Sequence, residues 1–85
     1  MPAPDAIEEL ILRLVAERGA LKSIDPSDVA RAALPGDAAW NRMLPQVRAA
    51  AVRLALAGRL TILRKGKPVD PSDFKGVYRL GPPAV

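Results

Sequence analysis

The sequence has 85 residues, with 13 Lys+Arg against 9 Asp+Glu, a formal charge of +4, and neither Cys nor His. A chain this short bounds the protein to one small domain with a modest core and no deep substrate cavity. The missing Cys and His exclude disulfides, thiolate metal sites and cysteine nucleophiles, and remove the commonest general base and metal ligand.

The first segment reads as a helix. Asp5 is placed as its N-cap with Glu8 three residues on, and Ile7, Leu10, Ile11, Leu14 and Val15 recur at the spacing of one buried face. Arg18 and Gly19 mark its end. A short extended piece from Ala20 to Ile24 leads to Asp25-Pro26-Ser27-Asp28, the start of a second helix. Asp25 caps it, Pro26 fills a position where a missing N–H costs nothing, and Ile24 with Val29 forms a hydrophobic staple. Val29, Ala30, Ala33 and Leu34 form its inner stripe, and Pro35-Gly36 stops it. Asp37 can cap a short helical turn through Trp40 and Met43, with Trp40 as a core anchor.

Pro45 disfavours helical geometry at Leu44, so a separate third helix is expected from Pro45 to about Ala57, closed by Gly58. Val47, Ala50, Ala51 and Leu54 form its apolar stripe. Its outer face carries Arg42, Gln46 and Arg53 on one flank, Arg48 and Arg59 on the other, and Ala49, Val52 and Leu56 between. Period two then takes over. Leu60–Arg64 and Val77–Leu80 are expected strands of a two-stranded hairpin, joined by a long loop that starts with the basic turn Lys65-Gly66-Lys67-Pro68-Val69. Asp70-Pro71-Ser72-Asp73 repeats the earlier cap signature and predicts a single helical turn.

Helix, short strand, helix, helix and hairpin is the order of a winged helix-turn-helix: three helices, a short strand and a two-stranded wing, mostly α with a small β-hairpin. The chain also resembles a small bacterial winged-helix-like family of unknown function (domain of unknown function 3253). The resemblance rests on Lys22-Ser23-Ile24-Asp25-Pro26-Ser27-Asp28-Val29-Ala30, Met43-Leu44-Pro45-Gln46-Val47-Arg48 and Arg53-Leu54-Ala55-Leu56-Ala57-Gly58-Arg59-Leu60. Its most specific part is Arg64-Lys65-Gly66-Lys67-Pro68-Val69-Asp70-Pro71, with Gly76 beyond it. It covers roughly residues 6–80 and implies a fold, with no activity to carry over. Residues 1–85 are expected to form one domain, with an ordered core about 5–80 and flexible ends.

The charge is unevenly spread. Residues 1–41 carry four bases against seven acids, a net −3, and residues 42–85 carry nine against two, a net +7. Between Arg42 and Lys67 stand seven bases and no acid. This asymmetry points to a polyanion, and the expected partner is duplex DNA. The candidate contacts are Arg42 just before the third helix, Gln46, Arg48 and Arg53 on it, Arg64, Lys65 and Lys67 on the wing, and Lys22 and Ser23 before the second helix. Ala49, Val52 and Leu56 stand where base-reading side chains are expected, so backbone contact dominates this reading.

The alternative is a protein-interaction or dimerisation module, a homodimer or another protein partner, using Ala49, Val52, Leu56 and Leu12. No catalytic residue is expected. Ser23, Ser27, Ser72 and Thr61 have no His or Cys to activate them, so the chain reads as no enzyme, with no cofactor and no metal. No apolar run approaches the ~20 residues of a membrane span, and Met1-Pro2-Ala3-Pro4-Asp5 lacks a signal-peptide layout. A cytoplasmic location is therefore expected.

Overall fold

A computed structural model describes residues 4–19, 22–36 and 39–83. The first helix, α1 (Pro4–Arg18), buries Ile7, Ile11 and Val15 at i, i+4 and i+8, while Leu10 and Leu14 pack at the edge of the core. Asp5 lies inside its first turn, not at the N-cap. The expected pairing of Asp5 with Glu8 gives way to a long-range contact, because the Glu8 carboxylate accepts from Arg53 Nε at 3.1 Å. Gly19 has φ +88°, the left-handed conformation expected after the helix.

The second helix, α2 (Pro26–Ala33), starts as its sequence dictates. Asp25 Oδ1 accepts from Ser27 N at 2.9 Å, and Asp28 Oδ2 accepts from Asp25 N at 3.1 Å, a reciprocal capping box with Pro26 in the first turn. The staple residues Ile24 and Val29 are both fully buried. The cap expected at Asp37 lies outside the described residues.

A 3₁₀ turn, Trp40–Met43, runs without a break into the third helix, α3 (Leu44–Leu56). The expected boundary before Pro45 is therefore absent. Leu44 is helical at φ −56°, ψ −41°, which the chain tolerates because Pro45 falls in the first turn, where no intrahelical N–H is required. The stripe Val47, Ala50, Ala51 and Leu54 is buried as expected. Trp40 is half-buried against the core, with the Arg31 guanidinium 4.5 Å from its ring centroid.

The sheet differs most from expectation. It has three antiparallel strands, β1 (Thr61–Arg64), β2 (Lys67–Pro68) and β3 (Arg79–Gly81), in the order β2-β1-β3. Instead of one hairpin with a long loop, β1 and β2 form a tight hairpin pairing Arg64 with Lys67, and β3 returns on the other side of β1. Lys65 (φ +53°) and Gly66 (φ +80°) both take positive φ, as a two-residue type I′ turn requires. Pro68 is acceptable because β2 is an edge strand.

Val77 and Tyr78 precede β3 instead of belonging to it, and Leu60 precedes β1. The expected helical turn at residues 70–74 is a side-chain-capped turn without a helix. There Ser72 N donates to Asp70 Oδ1 at 2.9 Å and Asp73 N to Asp70 O at 3.1 Å. Ile24 makes both backbone hydrogen bonds of an antiparallel bridge with Leu80, which also pairs with Ile62. These three buried residues tie the segment before α2 to the sheet. The molecule is mostly α with a small antiparallel sheet, and among the described residues no helix is long and apolar enough to cross a membrane.

The cap yields a first prediction. The hydrogen bonds from Ser27, helped by the positive charge of Arg79 and Arg31, hold the Asp25 carboxyl below its ordinary value. Its contribution is complete above the unfolded value of about 3.9 and is lost as pH falls through the lower folded value. Asp25→Ala should cost about 1–2 kcal/mol in urea unfolding at pH 7. Asp25→Asn should keep most of the cap but flatten the acid limb of the stability–pH curve.

Candidate functional site

After Val69, whose N donates to the Ile62 carbonyl of β1 at 3.0 Å, residues 70–78 lie outside the sheet ladder. Side chains from two other elements hold them. Arg48 on α3 donates from Nη2 to the Phe74 carbonyl at 2.8 Å, with its guanidinium 3.9 Å from the Phe74 ring centroid and 5.6 Å from that of Tyr78. Arg64 on β1 donates from Nε to the Val77 carbonyl at 3.1 Å. Gly76, between the two, has φ +83°, and a Cβ there would stand 3.0 Å from Arg64 Nη2. Phe74 is buried, and Tyr78 meets it edge-on at 5.2 Å between centroids. The loop carbonyls thus receive charge-assisted hydrogen bonds in place of a ladder.

Electrostatically, these contacts differ from ion pairs. A carbonyl accepts a proton without cancelling the donor's charge, so Arg48 and Arg64 keep theirs. Among the described residues the ion-paired bases are Arg18 with Asp28, Arg53 with Glu8, and Arg79 with Asp25. Lys65 and Lys67 are exposed at the hairpin, and Lys75 is exposed on the loop beside Gly76. Four cations therefore stand on the hairpin and the loop, and a fifth, Arg48, reaches the loop from α3.

The sequence-derived candidates divide accordingly. Arg48, Arg64, Lys65 and Lys67 come together around the hairpin and the loop. Arg53 turns toward α1 and pairs with Glu8. Ser23 accepts from Arg79 Nε through Oγ at 2.6 Å and from Nη2 through its carbonyl at 2.9 Å. Lys22 and Arg42 are exposed, and Arg42 lies on the 3₁₀ turn that packs against α2. Gln46 is half-buried, with Oε1 buried and lacking a hydrogen-bond partner.

Of the alternative contact set, Ala49 and Leu56 are exposed, while Val52 and Leu12 pack against the core. Lys75, Val77 and Arg79 were not singled out from the sequence. Lys75-Gly76 was their nearest signal, a base beside a turn glycine. Among the described residues no three carboxylates gather as a metal-holding group.

Beside the loop lies an open cleft of about 670 Å³ between the N-terminal ends of α2 and α3 and residues 76–78. Pro26, Leu44, Pro45, Val77 and Tyr78 supply apolar walls, Arg48 a cation, and Asp25 with Ser27 a polar end. Burial raises the Tyr78 phenol above its ordinary value, and the charge of Arg48 partly offsets this.

Residues 4–83 match the family described as Protein of unknown function (DUF3253), and the chain belongs to that family. No curated protein matches the sequence.

Arg48→Ala should destabilise the protein by about 2 kcal/mol in urea unfolding, through the lost charge-assisted hydrogen bond and ring contact. Tyr78 is the only tyrosine. Removing Arg48 withdraws the charge that favours phenolate, so spectrophotometric titration should show Tyr78 ionising at still higher pH in this variant.

Proposed function

We propose that this member of the DUF3253 family is a winged helix that binds duplex nucleic acid through its phosphates and performs no catalysis. The unpaired cations of the hairpin-and-loop unit carry the reading: Arg48, Arg64, Lys65, Lys67 and Lys75 have no ion-pair partner among the described residues. Bases left free beside a hairpin suit a wing lying along a phosphate backbone. The element order and the strand arrangement support the fold assignment. Ile24 bridges β3, β3 pairs with β1, and the hairpin extends from β1, beside three helices that share one core. In such a scaffold α3 is the helix that approaches the groove.

The face of α3 bears on specificity. Ala49 is exposed where a base-reading donor would stand, and the amide oxygen of Gln46 is buried. Binding is therefore largely independent of sequence, with positioning by phosphate contacts. The chain has no His or Cys, and Asp25, the carboxylate in the cleft, is occupied by the helix cap, which supports a reading without catalysis.

One observation favours the second reading, a protein-interaction module: Leu56 is 63% exposed at the end of α3, near exposed Ala49. The apolar patch is small because Val52 and Leu12 pack inward, and Leu56→Glu should abolish association if that face binds a protein.

The nucleic-acid reading is tested by salt titration on unrelated random duplexes. Lys65→Gln and Lys67→Gln should each reduce the slope of log K against log salt by about 1, weakening all sequences alike. Absence of binding by the wild type at ~50 mM salt overturns it.

A further inference from the structure

We infer that the cleft between α2, α3 and residues 76–78 receives the base of one unpaired nucleotide, whose phosphate lies on Arg48. The inference rests on the nucleic-acid reading and names a site within it. The cleft is apolar on most sides, and Val77 in its wall is 81% exposed. Its volume of about 670 Å³ falls within the ~300–1,000 Å³ of small-ligand sites, ample for a single nucleotide.

Charge selects the occupant. Arg48 lines the cleft without an ion-pair partner among the described residues, and its bond from Nη2 to the Phe74 carbonyl uses one of the five N–H donors a guanidinium carries. Arg64 and Lys75 flank the Gly76–Val77 wall. An apolar planar group carrying a phosphate satisfies both features: the plane covers Leu44, Pro45, Val77 and Tyr78, and the anion meets the guanidinium. Asp25 also lines the cleft, but it is tied to Ser27 and ion-paired with Arg79, so Arg48 is the lining charge left for an anion. A base stacked inside a duplex cannot reach such a cleft. An overhang, gap or frayed end can.

The test compares duplexes with a short single-stranded overhang, either base-bearing or abasic at the terminal nucleotides, by fluorescence anisotropy. Both probes carry the same phosphates, so their affinity ratio isolates the base. The wild type should prefer the base-bearing probe by about tenfold. Tyr78→Phe should keep that ratio and Tyr78→Ala remove it. Val77 is exposed enough for Val77→Glu to fold, and this variant should also bring the ratio to one. Equal wild-type affinity for the two probes overturns the inference while leaving phosphate binding intact. Failure to bind blunt duplex as well overturns the nucleic-acid reading itself. A concentration-dependent dimer that Val77→Glu dissolves puts a second copy in the cleft and equally overturns the inference.

Discussion

The contact on which the arrangement of the candidate site depends is the Arg48 guanidinium, held over the Phe74 ring and donating to the Phe74 carbonyl. Residues 70–78 contribute no strand, and that contact ties their middle to α3. Arg64 secures the far end at Val77, and Gly76 supplies both the positive φ and the space that the Arg64 side chain needs. Phe74 completes the core from this loop, so the anchoring and the burial support each other. The same contact shapes the cleft, since Arg48 and Tyr78 line it together.

An arginine fixed to a carbonyl performs two tasks. Its hydrogen bond orders the chain, and its charge stays uncompensated and available to an anion. That separates Arg48 and Arg64 from Arg53, whose charge is met by Glu8 across α1 and α3. The +4 of the whole sequence is therefore a poor guide to where an anion would go. The acids that lower it lie mainly in the front half, and two of them cap α2. Among the described residues, Arg48, Arg64, Lys65, Lys67 and Lys75 stand unneutralised where the hairpin and its return loop meet α3, while Arg13, Lys22, Arg31, Arg42 and Arg59 stand unneutralised elsewhere.

Much of the fold was legible in the sequence because its determinants are local. The Asp25-Pro26 cap, the stripe Val47-Ala50-Ala51-Leu54 and the glycines after α1 and α3 each act within a few residues, and the structure uses them as read. The hairpin turn was harder to read, since Lys65 at positive φ is an uncommon choice where Asn or Asp is expected, and Pro68 argues against a strand until its edge position is known. Asp5 falls one residue inside the helix instead of before it, a difference of the size by which helix ends ordinarily vary.

The candidate site was only half legible. Composition marked the basic stretch, but the partners of Arg48 and Arg64 are backbone carbonyls 26 and 13 residues away. Every residue carries a carbonyl, so no residue type announces such a contact. The cleft is likewise a product of three segments that meet only in the fold, and Val77 alone gave no sign of it.

The most direct measurement is a nuclear magnetic resonance titration of the labelled protein with a random-sequence duplex, following backbone amides together with arginine Nε–H signals. Shifts should concentrate at Arg64 to Lys67, Lys75 and the side chains of Arg48 and Arg64, while Glu9, Arg13 and the outer face of α1 stay unmoved. Absence of any shift, or shifts confined to Ala49, Leu56 and α1, would contradict it.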